Sequence, residues 1–170
     1  MRLLALKIGS ANFTAGHLIA GPGVAGIRRI PIPLNAAWET CRDLLINIAD
    51  DDEVAAVGIA CSGPIRTPDG AIAPPGISQW RSGFAIADAV RRTFPAATVE
   101  IASDRRCLRL AEQNITPVAG ADMVLVGAGI LALVTTSRLC HSLPALPMPN
   151  SAGMVRRPTW PITCHHTGPV

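Results

Sequence analysis

Residues Leu4–Ala20, LALKIGSANFTAGHLIA, set an apolar run on each side of a turn of small residues, Gly9-Ser10-Ala11-Asn12. Such a turn can cradle a phosphate, because a glycine lets the backbone approach and the amides after it can point at the oxygens. A cradle for a metal-bound nucleotide also needs a carboxylate close by to hold Mg²⁺ or its waters. The residue in that place is Lys7. Its ammonium only donates hydrogen bonds, repels a metal and can meet a phosphate as a point charge. An ordinary hairpin with Lys7 at its edge fits the same residues. Asp104 follows a short apolar run and precedes Leu108 and Leu110, the place of a helix N-cap. Ser62-Gly63-Pro64 reads as a strand-ending turn, Trp80 as a core anchor in a proline-rich loop, and Glu112 as a helix-surface residue. Cys164-His165-His166 offers one thiol and two adjacent imidazoles, short of a tetrahedral set, so no metal site is assigned.

The elements that must position these residues follow from hydrophobic pattern and turn chemistry. Leu3–Ile8 and Phe13–Ala20 read as paired strands, and Val24–Pro33 as a third near a sheet edge. Asn35 is placed to cap a helix running to about Ala49, with Trp38, Cys41, Leu45 and Ile48 at helical spacing. Val54–Cys61, VAAVGIAC, is a continuous apolar run of the kind found in a central parallel strand. A strong turn at Thr67–Gly70 separates two short strands, and a Pro/Gly-rich loop, Pro74–Gly83, leads to a helix near Phe84–Thr93. Thr98–Ala102 is a strand, followed by a helix from Asp104 to Asn114. Met123–Val126 and Leu131–Thr136 read as strands around the turn Gly127-Ala128-Gly129. The pattern then decays into a proline-rich segment. The expected division is an α/β domain with a mixed sheet flanked by helices over 1–120, the start of a second lobe over 121–139, and a proline-rich irregular tail over 140–170.

The 170 residues suffice for one sizeable core, and a 49% hydrophobic, 16% charged composition fits an α/β protein with buried strands. The formal charge of +3 is modest and its arginine pairs are scattered, which argues against nucleic acid as a partner. No membrane span and no leader are expected, and the expected compartment is the cytoplasm. The five cysteines are widely spaced without a CxxC pair and read as reduced thiols.

The order of these turns resembles the N-terminal domain of the ROK family of sugar kinases and repressors, on the actin-like (ribonuclease H-like) ATPase fold. Lys7-Ile8-Gly9-Ser10-Ala11-Asn12 stands where the family has Asp-Ile-Gly-Gly-Thr-Lys. Gly58–Pro64 is similar to its Gly-Ile-Gly-x-x-Gly-Pro segment, and Pro74–Trp80 to its "Pro-Asn…Trp" sugar-side loop, with Gly76 in place of the asparagine. Ser103–Glu112 looks like its Asn-Asp-Ala-Asn…Gly-Glu segment, and Gly127–Leu131 like its second phosphate turn.

The resemblance implies ATP-dependent phosphorylation of a hexose, with Asp104 as the base that takes the proton of the attacking sugar hydroxyl. It implies phosphate contacts at Gly9, Ser10, Gly127 and Gly129, and sugar contacts at Ser62, Gly63, Ser103 and Glu112. ATP and Mg²⁺ would be the cofactors of an active enzyme; zinc is not expected, since the family's histidine and cysteine cluster is lacking. Lys7 and the residues absent from a nucleotide lobe imply a truncated, degenerate copy with impaired or no activity. The alternatives are an interaction or sugar-binding module that self-associates through exposed apolar surface, and a repressor remnant without its helix-turn-helix.

Overall fold

The computed structural model describes residues 1–19, 23–66, 69–114 and 121–142. Strands β1 (Arg2–Ile8), β2 (Asn12–Ile19) and β3 (Gly23–Pro31) form an antiparallel meander. Helix α1 (Ala37–Ala49) leads to β4 (Val54–Cys61), which pairs parallel to β1. The two-residue strands β5 (Ile65–Arg66) and β6 (Ala71–Ile72) make a small ladder of their own. A single 3₁₀ turn (Ser78–Trp80) and α2 (Ile86–Thr93) precede β7 (Thr98–Ser103), parallel to β4. Helices α3 (Asp104–Asn114) and α4 (Ala121–Ser142) follow. The five-stranded sheet has the order β3-β2-β1-β4-β7, so the expected mixed sheet flanked by helices is what forms.

Its two faces differ in kind. One carries Leu4, Leu6, Ile8, Phe13, Val57, Ile59 and Cys61, and is covered by Cys41, Leu44, Leu45 and Ile48 of α1 with Ile86 and Val90 of α2. Trp80 is buried in this core, stacked on Phe84 with ring centroids 4.6 Å apart, which is the anchoring role its loop implied. The other face is built of small residues, Ala5, Ala60 and Ala102, under Cys107 of α3 and Val124, Leu125, Ala128 and Leu131 of α4. Gly58 lies under α4 as well: a Cβ there would collide with the Ala128 carbonyl.

Two expectations are corrected. The strand–turn–strand over Met123–Thr136 is instead the middle of one 22-residue helix, α4. Short apolar runs do not distinguish a buried helix from strands by periodicity alone, and glycines placed for close packing mimic a turn. Val124, Leu125, Ala128 and Leu131 of this helix pack on the small-residue face of the sheet. Second, Asn35 does not cap α1. Ala36 takes the cap position with φ 57° and no side-chain bond, and the Ala37 amide donates to Gln79 Oε1 at 3.3 Å. Of the expected tail, 143–170, with Cys164-His165-His166, lie outside the described residues.

Glycine costs a helix about 1 kcal/mol relative to alanine, so Gly127→Ala should stabilise α4 by propensity alone. The added Cβ would instead strike the backbone carbonyl of Cys107. Gly127→Ala and Gly58→Ala should each lower stability by about 1–3 kcal/mol in urea unfolding. At Gly129 the obstacle is the end of the Leu18 side chain, which can turn aside, so Gly129→Ala should change stability by less than about 1 kcal/mol.

Candidate functional site at the carboxyl ends of the parallel strands

Strands β1, β4 and β7 end in register, with Ile8 beside Cys61 and Cys61 beside Ser103. The next residue on each strand is therefore Gly9, Ser62 and Asp104. Three of the sequence-derived candidates thus stand at one end of the sheet, where open α/β folds bind their ligands.

The Ser62 amide and hydroxyl both donate to the Ile8 carbonyl at 3.1 Å, clamping the end of β4 to that of β1. The hydroxyl expected on a sugar is thus engaged with backbone. A Cβ on Gly63 would strike Pro74, and one on Gly76 would strike the Ser10 carbonyl. The first turn, the Ser62–Pro64 turn and the Pro74–Gly76 loop are pressed together. A side chain at 76, such as the asparagine of the ROK pattern, has no room in this packing.

In the first turn the Gly9 amide closes the hairpin by donating to the Asn12 carbonyl at 3.0 Å. The amides of Ser10 and Ala11 have no backbone acceptor among the described residues. Beside the turn, side chains on one face of the sheet form a cross-strand row. Arg29 is opposite Thr14, Thr14 opposite Lys7, Lys7 opposite Ala60, and Ala60 opposite Ala102. Thr14 is buried, and its hydroxyl accepts a long 3.4 Å bond from Arg29 Nε. Lys7, Gly9, Ser10, Ala11, Asn12, Thr14 and Arg29 line a cleft of about 210 Å³. Thr14 and Arg29 were not anticipated, although pairing β2 back from a turn at residues 9–12 puts Thr14 opposite Lys7.

Asp104 opens α3 directly after β7. The helix cap is supplied by its neighbour: Ser103 Oγ accepts from the Arg106 amide at 3.4 Å. This corrects the capping role expected of Asp104 and gives Ser103 a structural use. Asp104 Oδ1 is buried without a hydrogen-bond partner among the described residues, an arrangement that native proteins rarely leave unexplained. Burial pushes its carboxyl above the ordinary value of 3.8, and the Lys7 ammonium pulls part of the way back. The thiols of Cys61 and Cys107 feel the same carboxylate. Burial raises both, the Asp104 charge adds to it, and Cys107 is pushed up to about 12. Arg105 and Arg106 are exposed and leave the site open.

Other candidates lie elsewhere. Glu112 is exposed on α3, two turns beyond Asp104. Gly127 and Gly129 are buried inside α4, packed against Cys107 and Leu18, and no second phosphate turn exists there. The donor set does not suit Mg²⁺: the cleft carries two cations and no carboxylate, and no three His, Cys, Asp or Glu residues cluster among the described residues. No described helix is long and apolar enough to cross a membrane.

No protein-family model matches the chain, and no curated protein matches it. Solved structures do. A ROK hexokinase from Thermus thermophilus matches with a TM-score of 0.57 at 20% identity, over 68% of this chain and 39% of its own. A ROK family glucokinase from Streptomyces griseus, in complex with glucose and AMPPNP, matches with a TM-score of 0.56 at 19% identity, over 71% and 38%. A ROK family transcriptional regulator, a homolog of the E. coli MLC protein, matches with a TM-score of 0.56 at 17% identity, over 66% and 30%. The fold is thus the actin-like α/β architecture of ROK sugar kinases, and the chain spans about two fifths of the length of these kinases.

The Asp104 assignment fixes the sign of a pH effect. With the folded pKa raised, the folded state holds its proton to higher pH than the unfolded chain. Stability contributed by this group therefore falls as pH rises from 3.8 through the folded pKa, and stays lost above it. Asp104→Asn should remove that fall, leaving the variant more stable than the parent at pH 7 and closest to it near pH 4. Urea unfolding across pH 4–7 measures this. An equal fall in both proteins would show that the Asp104 carboxyl is not held at a raised pKa.

Proposed function

We propose that this chain is the sugar-side part of a ROK-type hexose kinase architecture, with Asp104 facing the acceptor hydroxyl and with transfer from Mg²⁺-bound ATP impaired. One observation carries the reading: a buried, unpartnered carboxylate oxygen at the common end of three in-register parallel strands. A sugar hydroxyl is the kind of partner this oxygen lacks, since a hydroxyl donates one hydrogen bond and can then be deprotonated.

In the transfer, the hexose oxygen forms a bond to the γ-phosphorus of ATP while the bond from that phosphorus to the bridging oxygen breaks. The hydroxyl proton passes to Asp104, and ADP leaves with the electron pair of the broken bond. Burial raises the Asp104 pKa, which favours proton acceptance, and the Lys7 charge opposes part of that rise. What this chain does not offer is the carboxylate that would position a divalent cation, because Lys7 occupies that place. Impaired transfer is therefore argued from the charge at position 7. The sugar-kinase structures that share the fold support the acceptor class.

Calorimetry with glucose and mannose should show binding in the high micromolar to millimolar range, weakened by Asp104→Ala. A coupled assay with ATP and Mg²⁺ should give turnover at least about a thousandfold below the 1–100 s⁻¹ usual for kinases, and none in Asp104→Asn. Turnover at an ordinary rate that survives Asp104→Asn would overturn both the base and the impairment.

A further inference from the structure

We propose that the cleft between Lys7 and Arg29 is a binding site for a phosphate-type oxyanion that carries no divalent metal. The inference deepens the phosphate-side reading of the first turn and does not depend on Asp104 acting as a base.

Both cations belong to the cross-strand row. Lys7 and Arg29 flank Thr14 on the same face of the sheet, one strand to either side. With adjacent strands about 4.8 Å apart, the two cations rise from backbone positions about 10 Å apart. That separation leaves room for one tetrahedral oxyanion over Thr14. Neither cation has an ion-pair partner among the described residues, whereas Arg42 and Arg91 have one each and Arg2 has two. Arg29 is already oriented by its bond to the buried Thr14 hydroxyl. The same cleft is bordered by the Ser10 and Ala11 amides, which lack backbone acceptors. A guanidinium, an ammonium, a hydroxyl and two amides are donors of the kind that phosphate oxygens accept from.

The charge also specifies the form of the ligand. A phosphate chelated by Mg²⁺ has given up charge to the metal and brings a cation towards Lys7 and Arg29. A bare oxyanion brings no cation with it, and the cleft lining carries two cations and no carboxylate to repel it. The site should therefore discriminate against the metal-bound form, the reverse of a turn preceded by a carboxylate.

The probe is inorganic tripolyphosphate, titrated calorimetrically into the intact chain in EDTA and again with excess Mg²⁺. Binding is expected in EDTA and should weaken at least about tenfold with Mg²⁺. Lys7→Met and Arg29→Gln should each weaken it about tenfold, the scale of one hydrogen bond between charged groups. Lys7→Arg should restore most of the affinity, and thermal unfolding reports whether each variant is folded. Arg28→Gln is the control: it removes the same charge one residue away, opposite Ala15 and on the other face, and should change affinity less than twofold.

No binding in EDTA by the folded protein, binding that requires Mg²⁺, or equal losses for Arg28→Gln and Arg29→Gln would overturn the proposal. Loss of hexose binding or turnover would leave it standing, because no sugar is present in the test.

Discussion

The position of everything at the functional end of this molecule depends on how closely α4 approaches the sheet. One face of the sheet carries large aliphatic and aromatic side chains, and helices can rest on it at an ordinary distance. The other presents Ala5, Gly58, Ala60 and Ala102. A helix over so shallow a surface must come in until backbone meets backbone, or a void remains and dispersion contacts are lost. The Ala128 carbonyl reaches the space that a Cβ on Gly58 would fill, and Gly127 leaves the same kind of space to the Cys107 carbonyl. α4 is thus seated on the sheet, and α3 is seated on α4. The first residue of α3 is Asp104, so missing methyl groups at the centre of the sheet set where the only carboxylate of the strand-end row stands.

The strand ends then convert register into a site. Because Ile8, Cys61 and Ser103 are neighbours, the chain leaves three adjacent strands at the same level. Each exit is tied down by a different local device. Gly9 closes a hairpin, Ser62 clamps β4 to β1, and Ser103 caps α3. Ser62 and Ser103 thereby spend their hydroxyls on the scaffold. Asp104 is left with an oxygen that no scaffold group satisfies. In a low-dielectric setting that oxygen is costly to leave bare, so a donor arriving from outside gains more there than it would at an exposed carboxylate.

Most of the sheet was legible in the sequence because its strands are separated by strong punctuation and differ in pattern. VAAVGIAC is apolar throughout and lies at the centre; the proline-bordered third strand lies at the edge. The sequence of α4 reads as two strands for a physical reason. Glycine between apolar runs marks a turn when it supplies backbone freedom, and marks a helix contact when it supplies the absence of a side chain. Gly127 does the second, and only the tertiary partner, the Cys107 carbonyl, distinguishes the two. Asn35 failed as a cap for a related reason, since the Ala37 amide is met by Gln79, far away in sequence. At the site, Gly9, Ser62 and Asp104 were legible as residues that follow strands. Thr14 and Arg29 were not, because their meaning comes from cross-strand register with Lys7 rather than from any motif.

Lys7 gives that register its electrostatic consequence. Lys7 and Arg29, rising from strands on either side of β2, repel each other. In the row from Arg29 to Ala102 no carboxylate offsets this, and Asp104, which follows β7 beyond Ala102, feels the Lys7 charge as a pull that lowers its pKa against the rise from burial. One ammonium therefore faces two demands for negative charge, an internal one from Asp104 and an external one from the cleft. With a carboxylate at position 7, Asp104 would have a like charge for a neighbour, and the cleft would need a metal before any phosphate could approach. With lysine, the cation is covalently part of the sheet. The Lys7 charge acts on Asp104 without a metal, and the cations lining the cleft favour an anion that carries no divalent ion.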